Sequence, residues 1–264
     1  MHRSKGGNCM TQNGNSENKL LTLAYDLFAF EDYGMVKPLQ ISVEPQYNSH
    51  MVIAGSSGTG KSYALLQLLA RSIQIQPNGI FLFGDYKQDP AWKFLKGSKN
   101  YYPYVEVLKA IEQTYSMLED RQQESSEIHS TPVVLVIDEY AAFIASLSDT
   151  MDAKHVKRVI SQISRILELG RSLNIRIVLC SQTFYANTFT DGARMNVGIK
   201  ILLGNSQTNQ RMLMLSEHIE QIKGMTFSIG EGVCIINDAE VHCVKFPIIR
   251  DIYLIRHICR EGLG

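Results

Sequence analysis

The segment from residue 55 to residue 62 constrains the fold of this chain more than any other. It reads Gly-Ser-Ser-Gly-Thr-Gly-Lys-Ser and fits the pattern Gly-x-x-x-x-Gly-Lys-Ser/Thr at every position. An apolar run from Met51 to Ala54 precedes it, and leucines at helical spacing follow it until Pro77. A strand, a glycine-rich loop and a helix in this order predict that backbone N–H groups and a helix N-terminus enclose an anion. A Gly/Ser-rich turn that happens to precede a helix is the alternative, and Lys-Ser with both flanking elements disfavours it.

The side chains at the end of this loop have specific expected roles. Lys61 is expected to reach the β- and γ-phosphates of ATP as a catalytic point charge, and the Ser62 hydroxyl is expected to ligate Mg²⁺. The glycines allow the backbone to curl so that consecutive N–H groups point inward. The residues expected to bind the nucleotide are Gly55, Ser56, Ser57, Gly58, Thr59, Gly60, Lys61 and Ser62.

Two carboxylates follow a second apolar run. Val133 to Ile137 is continuous and rich in β-branched residues, typical of a central parallel strand, and Asp138 and Glu139 come next. Because ligands of α/β sheets bind at the carboxyl ends of the strands, Asp138 is predicted to orient the Mg²⁺ shell. Glu139 is predicted to polarise a water for attack on the γ-phosphate. Solvated carboxylates are also common at strand ends, but the partnership with the loop favours the functional interpretation. The sequence has no Asn-Lys-x-Asp stretch that could read a guanine base, so ATP hydrolysis is the predicted chemistry.

Gln182 follows a third apolar run, Ile175 to Cys180. At the end of a parallel strand its amide would sense the γ-phosphate or hold the attacking water, which would make it a catalytic residue. A polar residue that only caps the strand is an equally good interpretation.

Apolar runs alternate with helical periods along most of the chain, which predicts an α/β fold with a mostly parallel sheet and helices on both faces. Near the C-terminus two apolar runs flank Asn237-Asp238, which predicts a β-hairpin. The domains expected are a disordered leader at 1–19, a small N-terminal entry element at 20–49, and the ATPase domain at 50–264.

Charge and cysteine content limit the classes of protein that remain. Lys plus Arg and Asp plus Glu both number 26, so the chain lacks the net positive charge of many nucleic-acid-binding proteins. This does not exclude DNA binding, because the channel of a ring needs only a few local cations in each subunit. The five cysteines form no CxxC pair, and Cys180 and Cys234 are expected to be buried free thiols. No stretch approaches the roughly 18 apolar residues that span a bilayer. A cytoplasmic location is expected, from which partner proteins could recruit the chain to a membrane.

Four motifs stand out along the chain: His50 to Ser62, Gly84-Asp-Tyr-Lys87, Val136-Ile-Asp138-Glu139-Tyr140, and Leu169 to Gln182. Together they resemble the FtsK/SpoIIIE family, part of the FtsK/HerA superfamily of ring-forming DNA motors. The resemblance covers roughly residues 48–250. It implies a RecA-like P-loop NTPase fold, ATP and Mg²⁺ as ligands, and a homo-oligomer, expected to be a hexameric ring with shared active sites.

The resemblance also implies roles for single residues. Arg171 matches an arginine that in relatives reaches across the ring interface to the neighbour's ATP, a role that needs a permanent planar cation. Considered alone, Arg171 would be an arginine that meets the dipole at a helix C-terminus. Asp85 and Lys87 stand where the family has Asp-Pro-Lys, with Tyr86 in place of the proline. Arg211 lines up with a further family arginine.

Two segments are candidates for contact with DNA. In 87–104, lysines that could track phosphates are interleaved with aromatics that could stack on bases. Since Asp85 and Asp89 dilute the charge, a mildly basic surface loop whose aromatics pack on the domain is favoured instead. The second candidate is 184–196, with Arg194 as its only cation. The residues of the first segment are Lys87, Lys93, Lys96, Lys99, Trp92, Tyr101, Tyr102 and Tyr104.

The predicted function is an ATP-driven translocase of double-stranded DNA, held through pore loops. Because little follows Pro247, the chain resembles a bare motor domain, as expected for a plasmid, conjugative-element or phage-borne member or a fragment of a longer protein. Membrane-anchored or relaxase-type proteins are the expected partners. A type VII-like protein secretion motor and a non-motor ATP-dependent assembly switch remain as alternatives.

Overall fold

The computed structural model describes residues 20–47, 49–124, 129–184, 188–189, 192–205, 214 and 216–264. Ten strands in these residues form one sheet. The strands are β1 (Leu20–Asp26), β2 (Pro38–Ser42), β3 (Met51–Gly55), β4 (Ile80–Asp85), β5 (Tyr101–Pro103), β6 (Val133–Asp138), β7 (Ile175–Ser181), β8 (Ile199–Leu203), β9 (Glu231–Ile236) and β10 (Glu240–Lys245). The α-helices described are α1 (Leu27–Tyr33), α2 (Lys61–Ile75), α3 (Val107–Gln123), α4 (Tyr140–Thr150), α5 (Ala153–Leu169) and α6 (Ile252–Gly262).

The sheet has a parallel part and an antiparallel part. Its order is β2-β1-β10-β9-β8-β3-β7-β6-β4-β5, and the strands from β8 to β5 run parallel. Strand β9 pairs antiparallel with β8 and forms a hairpin with β10, in which Glu240 lies opposite Ile236. Asn237 and Asp238 turn the hairpin with φ of 52° each, a left-handed conformation that these two residue types tolerate. The predicted mostly parallel sheet is confirmed.

Residues 20–42 lie in the same sheet as the rest of the chain. Strand β1 pairs with β10, where Tyr25 lies opposite Lys245, and β2 pairs with β1. Asp26 caps α1 by accepting a 2.8 Å hydrogen bond from the N–H of Ala29. The expected entry element is therefore two strands and a short helix that extend one edge of the sheet.

Helices cover both faces of the sheet, as predicted. Along β6, Val133, Leu135 and Ile137 pack on one face and the alternating residues Val134 and Val136 on the other, as the period of two in a strand requires. Helices α3, α4 and α5 contribute to the first of these cores, and α2 and α6 to the second. Within the described residues no helix combines the length and the apolarity needed to cross a bilayer.

The carboxyl ends of the parallel strands bring distant segments of the chain close together. Asp85 at the end of β4 lies opposite Asp138 at the end of β6, and Ala54 near the end of β3 lies opposite Ser181 at the end of β7. The loop after β3 and the carboxylates after β6 therefore share an edge, because parallel strands end on the same side.

Candidate nucleotide-binding site

The loop between β3 and α2 has the closed shape that its sequence predicts. Gly58 and Gly60 have φ of +80° and +95°, which residues with a Cβ rarely adopt. The Thr59 hydroxyl donates a 2.8 Å hydrogen bond to the Ser56 carbonyl across the loop. A Cβ added to Gly55 would lie 2.7 Å from Thr59 Oγ1 and 2.8 Å from the Leu203 carbonyl oxygen, so the loop also packs tightly on β8.

A buried cation lies at the base of this loop. Lys61 is the first residue of α2, is 8% exposed, and donates from Nζ to the Ser56 carbonyl at 3.2 Å. Ser62 follows on the helix and is partly exposed, while Ser56 and Ser57 are exposed. The positive end of α2 and this ammonium group lie together at the loop, and both attract an anion.

The turn before β9 supports the loop from the side, a contact that the sequence did not reveal. The N–H of Gly230 donates a 2.9 Å hydrogen bond to the Thr59 carbonyl, and the Gly230 carbonyl accepts a 2.7 Å hydrogen bond from Phe246. Gly230 has φ of +78°, and a Cβ there would lie 2.9 Å from the Phe246 carbonyl oxygen. The hairpin region is thus tied to the phosphate loop.

Asp138 is a buried carboxylate that is held by hydrogen-bond donors of the protein. Trp92 Nε1 donates to Oδ2 at 2.7 Å, and the N–H of Glu139 donates to Oδ1 at 3.0 Å. Burial raises the pKa of Asp138 to about 6, the Trp92 hydrogen bond opposes this rise, and the charge of Glu139 adds to it. The carboxylate is therefore held in one orientation and gains from any cation placed beside it.

Asp85 forms a second buried carboxylate on the neighbouring strand. The Tyr101 hydroxyl donates to its Oδ2 at 2.7 Å, and the N–H of Asp89 donates to its Oδ1 at 3.1 Å. Burial raises the pKa of Asp85, while these hydrogen bonds lower it. The two hydrogen bonds fix the start of the segment that carries Trp92 across the end of β6.

Glu139 contacts two side chains that follow the ends of other strands. Gln182 Nε2 donates to its Oε1 at 3.2 Å, and Lys87 Nζ lies 3.1 Å from its Oε2. Glu139 precedes α4 with φ of +56°, a left-handed conformation. This conformation directs the chain into α4 immediately after β6. The structure therefore joins Glu139 with Gln182, and it adds Lys87.

Arg171 lies near the amino end of β7, at the other end of the parallel strands from the phosphate loop. It is exposed, in the turn between α5 and β7, whereas Gln182 follows the other end of β7. Seven residues of β7 separate the two ends, which corresponds to roughly 20 Å at the usual rise of a strand. Arg171 borders a polar cavity of about 390 Å³ together with His50 and Asp238. It is remote from the phosphate loop of its own chain.

The aromatic side chains of 87–104 mostly pack on the domain. Trp92 is fully buried, the Tyr101 hydroxyl binds Asp85, and the Tyr102 hydroxyl donates to Gln113 at 2.6 Å. Tyr104 is half exposed. Most of its aromatics therefore pack on the domain and are not free to stack on bases. The remaining lysines, Lys93, Lys96 and Lys99, are exposed.

The second DNA candidate is described only in part. Arg194 is exposed, and residues 185–187 and 190–191 of that segment lie outside the described residues. Arg211 lies outside them as well.

The oxygen donors near the loop fit a magnesium ion. In the described part of the chain no group of three or more His, Cys, Asp and Glu residues could hold a metal alone. Ser62 and Asp138 supply a hydroxyl and a carboxylate, the hard oxygen donors that Mg²⁺ prefers when substrate phosphates and water complete its shell. Because Asp138 is buried, a cation beside it would offset the cost of its negative charge.

Comparison with known proteins agrees with this geometry. No protein-family model matches the chain. Over 183 residues, 64% of this chain, it is 24% identical to the FtsK domain-containing protein YdcQ of Bacillus subtilis (strain 168), and it spans 37% of the length of that protein.

Two solved structures share the fold. Each is 16% identical in sequence to this chain, and each match extends over 92% of this chain. One is the pCW3 conjugation coupling protein TcpA in its monomer form with ATPγS, with a TM-score of 0.71 over 70% of that chain. The other is the cytoplasmic domain of the type VII secretion ATPase EccC of Thermomonospora curvata, with a TM-score of 0.66 over 31% of that chain. The resemblance read from the motifs is confirmed, and the chain has the RecA-like P-loop fold of the FtsK-like ATPase domains.

Proposed function

We propose that this chain is an ATP-hydrolysing motor subunit that translocates double-stranded DNA. The observation that carries the hydrolytic part is the contact of Glu139 with Gln182 beside a buried lysine-containing phosphate loop. Glu139 follows the carboxyl end of β6, on the same side of the sheet as that loop, and it would accept a proton from water there. The choice of DNA as the polymer rests on the FtsK-like motifs and on the similarity to YdcQ and TcpA.

The loop residues bind and orient the triphosphate. Backbone N–H groups from Gly55 to Ser62 and the N-terminus of α2 receive the phosphate oxygens, and Lys61 supplies a full positive charge. Ser62 and Asp138 would hold Mg²⁺. The metal, when bound, neutralises charge on the β- and γ-phosphates.

Glu139 is the general base of the proposed reaction. Gln182 restrains one carboxylate oxygen through its amide, and Lys87 restrains the other through an ion pair. These two contacts fix the direction in which Glu139 accepts a proton from the attacking water. Gln182 is therefore a positioning residue for the base in this arrangement.

The position of Arg171 favours a homo-oligomer. The exposed guanidinium of Arg171 lies at the amino ends of the strands, roughly 20 Å from Gln182. At this distance it cannot contact a nucleotide bound to the phosphate loop of its own chain. In a ring, the Arg171 edge of one copy would face the Gly55–Ser62 loop of the next. A cation donated in this way is worth a factor on the order of 10³–10⁵ in other NTPases. A hexamer is the proposed state.

The DNA contact would be local, because the chain has no net charge. The exposed Lys93, Lys96 and Lys99 are candidates for contact with the phosphate backbone. Transfer of plasmid, conjugative-element or phage DNA in the cytoplasm is the proposed setting, with membrane-anchored or relaxase-type proteins as partners. A type VII-like protein secretion motor is the second candidate, favoured by the structural similarity to EccC.

The rate of ATP hydrolysis against added double-stranded DNA tests the proposal. We expect stimulation by long duplex at modest salt, because phosphate contacts weaken as salt increases. Lys61→Ala is the control for hydrolysis by other proteins in the sample. Turnover that is independent of DNA would contradict the DNA motor and favour the secretion motor, and turnover that only follows oligomer formation would favour an assembly switch.

A further inference from the structure

Two segments that carry cations lie side by side on the surface of the protein. One is the segment after β4, which contains Lys93, Lys96 and Lys99 and has no Asp or Glu between residues 90 and 99. The other is α6, which contains Arg256 and Arg260. The three lysines and Arg260 are exposed, and Arg256 is partly exposed. We call these five residues the basic strip.

Contacts at two points fix α6 against the lysine segment. At one point, Cζ of Arg256 lies over the ring of Phe94, the residue after Lys93, at 5.4 Å from its centre. At the other point, the backbone N–H of Lys99 donates to the carbonyl of Gly264. A Cβ on Gly264 would also lie 3.4 Å from the Cβ of Lys99. The end of the chain from Arg256 to Gly264 therefore runs beside the segment from Phe94 to Lys99.

The geometry of the helix places Arg260 between these two points. Arg260 follows Arg256 by four residues, so the two side chains lie on one stripe of α6. Gly264 follows after four more residues, and the whole stretch spans roughly 12 Å at the rise of a helix. The arginines and the lysines thus form one continuous strip. Over roughly 12 Å of its axis, duplex DNA carries on the order of seven phosphate charges.

The positive charge of the strip is not compensated by nearby carboxylates. In the part of the chain that the structure describes, none of the five cations has a carboxylate oxygen within 4.0 Å. Glu261 lies 4.0 Å from Nδ1 of His257, and Asp89 accepts a 2.7 Å hydrogen bond from the N–H of Ala91. The strip is therefore a local basic surface on a chain whose net charge is zero.

The apolar residues of the two segments point away from this surface. Trp92, Leu95, Cys259 and Leu263 are buried in the core, and Phe94 packs against it. No apolar side chain between these cations is therefore available to enter a lipid bilayer, which peripheral membrane helices require in addition to charge. Exposed cations without apolar neighbours are instead typical of surfaces that contact the phosphates of nucleic acids.

We infer that the basic strip binds the phosphate backbone of double-stranded DNA, with the arginines of α6 and the three lysines on the same duplex. This inference rests on the proposed motor function, and it adds α6 to the DNA contact. Because the contacts are to phosphates, binding at the strip is independent of base sequence and weakens as salt increases.

DNA binding in the absence of turnover tests this inference. Fluorescence anisotropy of a labelled duplex, with Mg²⁺ and ATPγS present, would be measured over a series of salt concentrations. The variant carries Lys96→Ala, Lys99→Ala and Arg260→Ala together and keeps Arg256 on Phe94. We expect its affinity at modest salt to fall about tenfold or more, and the slope of log K against log salt to become shallower by about three.

A second triple variant provides the matched control. Lys154→Ala, Lys157→Ala and Arg158→Ala remove the same charge from exposed positions on α5, a helix that covers the other face of the sheet. We expect this variant to bind the duplex nearly as tightly as the parent. Arg260→Lys alone should also bind as the parent does, because it keeps the charge. Thermal melting by circular dichroism checks that each variant is folded.

Each other outcome overturns a defined claim. If the strip variant binds DNA as the parent does, or the α5 variant loses as much affinity, the strip is not the DNA surface. If the parent binds vesicles that contain phosphatidylserine through these residues but does not bind the duplex, the strip contacts a membrane and the inference is wrong. Hydrolysis that DNA stimulates equally in the parent and the strip variant would refute only the strip. DNA binding at the strip without any stimulation of hydrolysis would contradict only the motor.

Discussion

Trp92 Nε1 donates a 2.7 Å hydrogen bond to Oδ2 of Asp138, and both side chains are buried. The indole ring also packs against Phe83 and Phe94, with ring centroids 4.6 Å and 6.3 Å apart. Arg256 of α6 lies over the Phe94 ring at 5.4 Å. The carboxylate expected to orient Mg²⁺ is therefore held by an aromatic cluster that reaches the C-terminal helix.

Loss of the indole donor should weaken the magnesium site. We expect Trp92→Phe to raise the Mg²⁺ concentration needed for half-maximal ATP hydrolysis by about tenfold or more, the usual effect of removing a hydrogen bond to a metal-orienting carboxylate. Turnover at saturating Mg²⁺ should recover. Phe94→Leu removes a neighbouring ring without touching Asp138, and it should leave the Mg²⁺ dependence unchanged. Since Trp92 is the only tryptophan of the chain, its fluorescence in the parent should change when Mg²⁺ and ATP bind. A silent fluorescence signal and an unchanged Mg²⁺ dependence would contradict the prediction.

Glu139 and Gln182 should affect turnover rather than binding. Glu139→Gln removes the proposed general base, and we expect hydrolysis to fall on the order of 10² or more with ATP affinity retained. Gln182→Ala frees one carboxylate oxygen of Glu139, and we expect a smaller loss, about tenfold. Single-turnover hydrolysis and equilibrium binding separate the two effects. If either variant lost ATP affinity as much as it lost hydrolysis, the contact between Glu139 and Gln182 would be structural and not catalytic.

Arg171 should act on the phosphate loop of a neighbouring copy. We expect Arg171→Ala and Lys61→Ala to be inactive separately, and a mixture of the two to regain part of the activity. In such a mixture some Arg171→Ala copies keep a working loop and receive the arginine of a Lys61→Ala neighbour. The ATPase rate across mixing ratios measures this. A flat, inactive series, or an active Arg171→Ala variant, would refute the role of Arg171 across the interface.

His50 should make the fold sensitive to acid. Burial, followed by the nearby charges of Arg176 and Arg171, lowers the pKa of His50 to about 3, and its Nδ1 accepts a 3.1 Å hydrogen bond from the Ile177 N–H. The unfolded chain takes up the proton near pH 6.5, so this contribution is fully present above that pH and is lost as pH falls toward 3.

The size of this effect can be measured against a variant. At pH 5 the loss is about 2 kcal/mol of the free energy of unfolding. His50→Asn keeps an acceptor for the Ile177 N–H but does not titrate, so its urea midpoint should fall less than the parent's between pH 7.5 and pH 5. Parallel curves for the two proteins would show that His50 does not titrate differently in the folded and unfolded states.

The local pattern of apolar residues was sufficient to predict the central strands and three helices, α2, α3 and α5. The run Val133–Ile137 is apolar throughout because both faces of β6 are covered, and the leucines of α2 repeat at helical spacing because one stripe of that helix is buried. Helix α4 was not predicted, since it begins directly after Glu139 with no break that separates it from β6.

Elements that depend on distant partners were not predictable in the same way. Strands β1 and β2 pair through β10, more than 200 residues further along the sequence, so their own short apolar pieces gave little signal. Helix α6 packs on α2 and was missed because the recognised motifs end near Pro247.

The candidate site also has parts that the sequence predicts and parts that depend on contacts between distant segments. The loop from Gly55 and the pair Asp138-Glu139 are contiguous, so the sequence alone predicts them. The contacts of Trp92 with Asp138 and of Lys87 with Glu139 join segments that are about fifty residues apart, and only the register of β4 beside β6 brings them together. The sequence feature that could have indicated these contacts was Asp85. It ends β4, the strand beside β6, so the segment that follows it passes close to Asp138 and Glu139.

The left-handed backbone at Glu139 has a consequence for how this chain can change. A residue with a Cβ at φ of +56° gives up about 1 kcal/mol relative to glycine, so a glycine at this position would relieve that backbone strain. The same exchange would delete the carboxylate that Gln182 and Lys87 hold. Selection for thermal stability alone would therefore reward relief of this strain at residue 139, at the expense of the proposed general base.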